Sequence, residues 1–193
     1  MKNILGVVLC GGQSKRMGSD KGLLVKDGTP WAVLIAQKLQ DAGLDVVVSI
    51  NEKQQQAYQE IFPETPLIVD HLPIDGPLDG LLSTHRNYPE MDILLMACDL
   101  IDMKLEVIQN LLTSLIISHD FDYYVYQQQG FTQPFCAIYT ARGLAQVYEA
   151  FRLNLLKKYS LHERFETGNT LYLQGEDEES FMNYNQVNPF KES

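Results

Sequence analysis

A glycine-rich stretch with three basic side chains follows the first apolar run of the chain. Residues 9–21 read Leu-Cys-Gly-Gly-Gln-Ser-Lys-Arg-Met-Gly-Ser-Asp-Lys, and we call them the basic loop. Gly11 and Gly12 let the backbone approach a ligand closely, with N–H groups that can face an anion. Arg16 offers a planar fork for phosphate oxygens, and Lys21 supplies a compact positive charge. The basic loop is therefore predicted to bind phosphate.

Two common phosphate-binding motifs do not fit the spacing of the basic loop. A P-loop requires G-x-x-x-x-G-K-[ST], whereas Gly18 is followed by Ser19 and Asp20. A dinucleotide fingerprint requires G-x-G-x-x-G, which the glycines of this loop do not form. The loop is therefore expected to bind phosphate in a third way.

Polar side chains follow three later apolar runs, at the points where strands are predicted to end. They are Asn51, Asp70 and Asp99. Ligands of open parallel sheets collect beyond the carboxyl ends of the strands, so these residues and the basic loop are expected to share one site. Asp99 ends a buried run and is the first candidate for a Mg²⁺ ligand, because Mg²⁺ prefers carboxylate oxygen. Asn and Asp also favour strand exits and turns, and this structural alternative stays open.

Apolar periodicity predicts strands that alternate with helices along the whole chain. The pattern indicates an α/β three-layer sandwich with a mostly parallel, Rossmann-like sheet in one domain of residues 1–193. Residues 71–80 are predicted to be a turn-rich segment, and the pattern weakens after residue 153. Strands are predicted at 4–10, 45–51, 67–70, 92–99, 123–128, 134–139 and 171–173, and helices at 31–42, 52–62, 81–88, 104–118 and 142–151.

Composition and charge exclude several classes of function. The formal net charge of −10 argues against a broad nucleic-acid surface, which would be basic. No apolar run approaches the roughly 20 residues of a membrane-spanning helix, and no signal peptide is recognised, so the chain is expected to be cytoplasmic. The three cysteines are far apart and form no CxxC pair, which predicts buried, reduced thiols instead of a disulfide framework or a zinc site.

The pattern L-x-G-G-x-S-x-R-M-G-x-D-K of the basic loop closely resembles the signature of the molybdenum cofactor guanylyltransferases, a branch of the nucleotidyltransferases. The resemblance extends over nearly the whole chain and implies a fold of the nucleotide-diphospho-sugar transferase type. One position departs from the family, which usually has proline two residues after its metal-binding aspartate, where this chain has Ile101. The later matching segments are 48–51, 69–70, 75–80, 97–99, 133–135 and 183–185.

The resemblance implies a transfer of GMP from GTP to the phosphate of molybdopterin, with release of pyrophosphate and with Mg²⁺ as cofactor. It implies a nucleotide-binding amino-terminal half and an acceptor-binding carboxyl-terminal half. The expected catalytic residues are Arg16, Lys21 and Asp99, and Asp99 is the expected metal ligand. The nucleotide is expected to contact Leu9, Cys10, Gly11, Gly12, Lys21, Asn51, Asp70 and Asp99, and the acceptor to contact Gly80, Gln133, Asn183 and Asn185.

Several alternatives remain at this stage. A CTP-dependent molybdenum cofactor cytidylyltransferase, or another nucleotidyltransferase acting on a sugar or alcohol phosphate, fits the same loop. A nucleotide-binding regulator without turnover is the alternative from another class. For Asn51 the alternative role is to cap the helix that follows it, and for Asp70 contact with the metal and contact with the nucleotide both stay open. The expected partners are the two substrates, with transient contact to molybdenum cofactor biosynthesis proteins or molybdoenzymes, and with neither nucleic acid nor membrane.

Overall fold

A seven-stranded sheet lies at the centre of the protein in the computed structural model, which describes residues 3–11, 20–175 and 179–182. Single turns of 3₁₀ helix occur at Lys21–Leu23, Glu52–Gln54 and Glu179–Phe181. The described strands are β1 Ile4–Leu9, β2 Val25–Lys26, β3 Thr29–Pro30, β4 Asp45–Ile50, β5 Leu67–Val69, β6 Asp92–Ala97, β7 Tyr123–Gln128, β8 Phe131–Tyr139 and β9 Thr170–Gln174. The helices are α1 Trp31–Asp41, α2 Gln55–Ile61, α3 Pro77–Asn87, α4 Leu105–Ile117, α5 Ala141–Arg152 and α6 Leu161–Thr167.

The strand order of the sheet is β5-β4-β1-β6-β8-β7-β9. β1 is parallel to both β4 and β6, β4 is parallel to β5, and β7 is parallel to β9. β8 runs antiparallel to its neighbours β6 and β7. The predicted mostly parallel sheet is therefore confirmed. The chain leaves β1 toward β4 on one side and returns to β6 on the other, so the topological switch point lies between β1 and β6, where ligands bind in such sheets.

Helices cover both faces of the sheet, which confirms the three-layer sandwich. Successive residues of a strand point to opposite faces, so Val8 packs in one core with α1 and α4, while Val7 packs in the other with α3, α5 and α6. Both residues are fully buried. The continuous apolar run of β1 is thus explained, because a strand covered on both sides alternates between two cores.

Three elements differ from the prediction. Helix α3 begins at Pro77, four residues before the predicted start, because proline at its first position presets the helical φ angle. The short hairpin β2–β3, whose turn holds Asp27 and Gly28 at positive φ, was not predicted. Helix α6 was not predicted either, because only two of its apolar residues are buried, which is too few to produce a helical pattern. None of the helices in the described ranges is long and apolar enough to cross a membrane.

Candidate nucleotide site at the switch point

An ion pair joins the end of the basic loop to the exit of β6. The Lys21 ammonium donates a hydrogen bond of 2.8 Å to Asp99 Oδ2. The side chains are 19% and 11% exposed, so solvent screens this pair less than it screens an ordinary surface ion pair. Lys21 opens a 3₁₀ turn that Asp20 caps by accepting a hydrogen bond from the Gly22 N–H at 3.0 Å. A cation and a carboxylate 78 positions apart in the chain therefore meet beside the switch point.

A second cluster surrounds the carboxyl group of Asp70. The hydroxyl of Ser49 donates to Asp70 Oδ1 at 2.8 Å. A Cβ atom added to Gly11 would lie 2.2 Å from Asp70 Oδ2, and one added to Gly80 would lie 2.3 Å from Ser49 Oγ and 3.1 Å from Asp70 Oδ1. Glycine is therefore required at both positions, because any side chain would displace this carboxyl group. The cluster ties together the exits of β1, β4 and β5 and the first turns of α3.

The pKa of Asp70 is raised to about 7. Burial is the main cause, since it penalises the charged form, and the negative charge of Asp79 adds to the effect. The hydrogen bond from Ser49 acts in the opposite direction and offsets part of the rise. A carboxyl group in this environment changes its charge near neutral pH, and a cation placed beside it would favour the charged form.

The carboxylate of Asp79 holds the segment that follows β5. It accepts hydrogen bonds from the Leu72 N–H at 3.0 Å and from the Ser83 hydroxyl at 2.9 Å. The Asp70 N–H itself donates to the Ile50 carbonyl at 2.8 Å. The position of Asp70 is thus fixed from both sides, by the sheet before it and by α3 after it.

The exit of β1 is bound to β4 more closely than the sequence suggests. The N–H groups of Cys10 and Gly11 both donate to the Ser49 carbonyl, at 2.9 Å and 3.0 Å. The expectation that the Gly11 N–H is available to an anion is therefore wrong, because this N–H already has an acceptor. Leu9 and Cys10 are buried, and only their position at the strand end relates them to a ligand.

Asn51 caps the 3₁₀ turn that precedes α2. Its side-chain oxygen accepts from the Lys53 N–H at 3.0 Å, and its own N–H donates to Gln54 Oε1 at 2.8 Å. This reciprocal arrangement is a capping box. The capping alternative thus accounts for the contacts of the Asn51 side-chain oxygen, and its contact with a nucleotide stays a prediction.

Two of the predicted acceptor residues, Gly80 and Gln133, lie within the described residues, on different elements. Gly80 lies in α3 against Ser49 and Asp70. Gln133 lies on β8, where its amide donates to Gln128 Oε1 at 3.2 Å. The antiparallel register pairs Met96 with Cys136, so Asp99, three residues after Met96, and Gln133, three residues before Cys136, are at the same end of the sheet. Four predicted site residues lie outside the described residues: Gly12, Arg16, Asn183 and Asn185.

The turn after Asp99 is ordered although it lacks the family's proline. The Leu100 N–H donates to the Ala97 carbonyl at 3.3 Å, and the Met103 N–H donates to the Leu100 carbonyl at 3.0 Å. Ile101, at the proline position, is 3% exposed and packs in the interior. Asp102 also pairs with Lys26 of the β2–β3 hairpin at 2.8 Å. Backbone hydrogen bonds and packing thus hold this turn.

The donor set suits a metal that takes few protein ligands. Across residues 3–11, 20–175 and 179–182, no three His, Cys, Asp or Glu side chains are grouped so as to hold a metal ion. Mg²⁺ usually binds through one or two carboxylates and takes substrate phosphates and water as its other ligands. A single carboxylate such as Asp99, beside the ammonium of Lys21, fits this pattern.

Ser49 was missed by the reading of the sequence, although it is fully buried and touches Asp70 and Gly80. The available signal was a hydroxyl residue inside the otherwise aliphatic run of β4, Val46-Val-Val-Ser-Ile50. A buried hydroxyl needs a partner, and near a strand exit that partner is commonly a site residue. The predicted burial of the three cysteines is confirmed.

Comparison with known proteins identifies relatives over most of the chain. The family described as MobA-like NTP transferase domain matches residues 6–164. A probable molybdenum cofactor guanylyltransferase of Bacillus cereus (strain B4264) is 30% identical over 192 residues, covering 96% of this chain and 92% of the relative. A molybdenum cofactor guanylyltransferase of Pasteurella multocida is 31% identical over 144 residues, covering 72% of this chain and 75% of the relative.

Other relatives are matched over part of their length. The chain spans 43% of a molybdenum cofactor biosynthesis bifunctional protein of Synechocystis, to which it is 30% identical over 79% of its own length. It also spans 48% of a probable molybdenum cofactor guanylyltransferase of Methanothermobacter thermautotrophicus, which it matches over 48% of its own length at 38% identity.

Solved structures share the fold at low sequence identity. Molybdopterin-guanine dinucleotide biosynthesis protein A from Archaeoglobus fulgidus superposes with a TM-score of 0.76 at 18% identity, covering 94% of this chain and 92% of that one. A 4-diphosphocytidyl-2C-methyl-D-erythritol synthase from Anaerococcus prevotii gives a TM-score of 0.71 at 10% identity, covering 96% and 91%. The two likenesses establish a common fold.

Proposed function

Because the chain belongs to the MobA-like NTP transferase family, whose members are nucleotidyltransferases, we propose that it transfers GMP from GTP to the phosphate of molybdopterin and releases pyrophosphate. The observation that carries the proposal is the contact between Lys21 and Asp99, because it joins a phosphate-suited cation to a metal-suited carboxylate at the switch point. The guanylyltransferase names of the relatives support the choice of guanine and of the molybdenum cofactor.

The proposed reaction needs charge neutralisation more than a strong base. The nucleophile is the terminal phosphate of molybdopterin, which is already an anion, and it attacks the α-phosphorus of GTP. Its bond to phosphorus forms as the bond to the pyrophosphate oxygen breaks. Two polyanions must therefore be held in line against their mutual repulsion. Lys21 suits this task, because its ammonium can bind triphosphate oxygens and stabilise the charge that develops on the leaving pyrophosphate. Arg16 is proposed for the same role.

Asp99 is proposed to hold Mg²⁺, which when bound would neutralise phosphate charge at the reacting centre. The hydrogen bond from the neighbouring ammonium of Lys21 fixes the direction of this carboxylate. The remaining nucleotide contacts are proposed for the exits of the neighbouring strands, at Leu9, Cys10, Gly11, Gly12, Asn51 and Asp70. The acceptor contacts are proposed at Gly80, Gln133, Asn183 and Asn185. The proposal places the enzyme in the cytoplasm, in transient contact with molybdenum cofactor proteins.

A nucleotide panel tests the choice of substrate. The melting temperature of the protein is measured with Mg²⁺ and each of GTP, CTP, ATP and UTP. We expect GTP alone to raise it, because a ligand that binds only the folded state stabilises that state. Stabilisation by CTP and not by GTP would replace the proposal with a cytidylyltransferase. Binding of GTP without pyrophosphate release in the presence of molybdopterin would favour a regulator without turnover.

Two pairs of variants test the proposed roles. Lys21→Ala should weaken GTP binding by about 100-fold or more. Asp99→Asn should lower the rate of Mg²⁺-dependent turnover by about 100-fold or more. In both cases the reason is that one such electrostatic contact contributes a few kcal/mol. Lys26→Ala and Asp102→Asn are the matched controls, because these residues form an ion pair of the same length in the same region. Equal effects of the variants and their controls would exclude the proposed roles.

A further inference from the structure

One side-chain amide connects the two ends of the basic loop. Gln54, in the 3₁₀ turn before α2, donates through Nε2 to the Cys10 carbonyl at 3.0 Å and to Asp20 Oδ2 at 2.5 Å. Cys10 lies near the beginning of the basic loop and Asp20 near its end. Through its other atom, Oε1, Gln54 accepts a hydrogen bond from the Asn51 N–H at 2.8 Å. The amide therefore joins the exit of β1, the exit of β4 and the residue before Lys21.

The orientation of this amide follows from its partners. Both contacts of Nε2 are to oxygen atoms that only accept, a carbonyl and a carboxylate, whereas the contact of Oε1 is to an N–H that only donates. Exchanging nitrogen and oxygen would break all three hydrogen bonds. The amide group is thus fully used, and no other residue type presents the same two donors and one acceptor at this reach.

The other oxygen of Asp20 is held just as firmly. Asp20 Oδ1 accepts from the Tyr58 hydroxyl at 2.9 Å and from the Gly22 N–H at 3.0 Å. Tyr58 is fully buried, and burial raises the pKa of its hydroxyl far above the ordinary value, so it remains a donor at every physiological pH. A Cβ atom on Gly22 would lie 2.0 Å from the Tyr58 oxygen, so the backbone of the 3₁₀ turn rests directly on this hydroxyl.

We propose that Gln54 is a positioning residue for nucleotide binding, acting on the basic loop through Asp20 and the Cys10 carbonyl. This inference rests on the proposed function, because it assigns a role in presenting the proposed phosphate-binding groups. The hydrogen bonds of Gln54 go to Asn51, Cys10 and Asp20, and its effect on Lys21 passes through Asp20. Gln54 acts by fixing the backbone on both sides of the loop, so that Lys21 is held where Asp99 meets it.

The physical reason is the entropy of bringing two distant points of the chain together. Nine residues, 11–19, separate Cys10 from Asp20, and closing a chain of that length costs conformational entropy. If the amide holds Cys10 and Asp20 together in the free protein, this entropy is lost during folding and does not weaken ligand binding. Loss of the amide should therefore lower the affinity for the nucleotide.

The test exchanges donor and acceptor across the Asp20–Gln54 contact. Gln54→Glu sets two carboxylates against each other, and Asp20→Asn sets two amides together; each leaves a hydrogen bond unmade. In the double variant, Asn at 20 donates to Glu at 54, so this contact is restored with the opposite polarity, whereas the hydrogen bond to the Cys10 carbonyl stays lost. The control is Gln56→Glu, which makes the same change at an exposed position of the adjoining helix. Dissociation constants for Mg²⁺·GTP are measured by calorimetry, and melting temperatures are measured without nucleotide.

We expect each single variant to bind Mg²⁺·GTP about tenfold more weakly than wild type, and the double variant to bind about threefold more tightly than Gln54→Glu. The control should bind like wild type. Affinity unchanged in Gln54→Glu, or a double variant weaker than both single variants, would overturn the inference. Lowered melting temperatures with unchanged dissociation constants would also overturn it, since they indicate a purely structural role. If Gln54→Glu does not fold, Asp20→Asn and the double variant still decide.

The wild-type measurement separates this inference from the proposed function. If wild type binds Mg²⁺·CTP in place of Mg²⁺·GTP, the proposed specificity for guanine is wrong. The same variants measured with Mg²⁺·CTP then still support or overturn the role of Gln54. If wild type binds neither triphosphate, the proposed function fails and the role of Gln54 fails with it. If wild type binds and the variants bind equally well, only the role of Gln54 fails.

Discussion

Replacing Asp70 with asparagine should stabilise the folded protein by an amount that grows from about pH 4 to pH 7 and is largest at alkaline pH. Burial and the charge of Asp79 raise the pKa of Asp70 from its ordinary value of 3.8 to about 7, although the Ser49 hydrogen bond opposes this. The unfolded chain loses its proton near the ordinary value. Between about pH 4 and pH 7 the folded state therefore binds more protons than the unfolded state, and the stability falls as the pH rises through this range.

The size of the effect follows from the difference in pKa. One pKa unit corresponds to about 1.4 kcal/mol, so the rise for Asp70 corresponds to at most about 4 kcal/mol at pH 8. Asp70 is half-buried, and contact with water reduces this cost, so we expect the variant to gain about 2–3 kcal/mol. Asparagine has nearly the same shape and still accepts the Ser49 hydrogen bond, so the packing against Gly11 and Gly80 is preserved.

Urea denaturation of wild type and Asp70→Asn at pH 5, 6, 7 and 8.5 measures this difference. The gain should be about a third of its full size at pH 5, grow up to pH 7, and level off above it. Asp75→Asn, at an exposed position five residues along, is the control and should show no such pH dependence. A gain that is constant with pH, or a variant less stable than wild type at pH 8.5, would refute the assignment of a buried, proton-binding carboxyl group.

Two further predictions concern packing. Gly80→Ala should lower the free energy of unfolding by about 1–3 kcal/mol in urea denaturation, because its Cβ would lie 2.3 Å from Ser49 Oγ and 2.8 Å from Leu9 Cδ1; a more stable variant would mean that helix propensity dominates. Cys136 is fully buried and its pKa is raised to about 12, so iodoacetamide at pH 8 should leave it unmodified in the native protein and modify it in urea, as read by mass spectrometry. Rapid native modification would contradict this burial.

Most strands could be predicted because a strand that is buried on both faces is a continuous run of apolar residues. The runs of β1, β4 and β6 are apolar at nearly every position, and each ends within two residues of the predicted end. Helices α1 and α4 carry one apolar stripe at helical spacing, and their bounds agree with the prediction within one residue. Where one physical constraint acts over many residues, the pattern is clear.

Short elements escaped prediction because tertiary contacts decide them. The sequence pattern predicts a turn at Gly80, but this residue lies inside α3, where Ser49 leaves no room for a larger side chain. Helix α6 has only Leu161 and Phe165 as buried apolar residues, which is too few to establish a period. The β2–β3 hairpin was signalled by Asp27-Gly28, a dipeptide suited to positive φ, but its two-residue strands give no alternation to support that signal.

The sequence was sufficient to predict where the candidate site lies, but not to predict all of its residues. Strand exits supplied Asp70 and Asp99, since parallel strands end at one edge. Ser49 and Gln54 were not found, because their importance lies in hydrogen bonds between segments far apart in the chain. The availability of the Gly11 N–H was misjudged for the same reason, as its acceptor belongs to another strand.

The order of strands in the sheet has a consequence for synthesis on the ribosome. The four parallel strands β1, β4, β5 and β6 are complete by Ala97, whereas the part of β8 that pairs with β6 is Cys136–Tyr139. Until then β6 is an uncovered edge whose residues 93–96 are entirely apolar. The nascent chain is therefore most prone to aggregate while residues 98–139 are being made, and chaperone binding would be most useful during that interval.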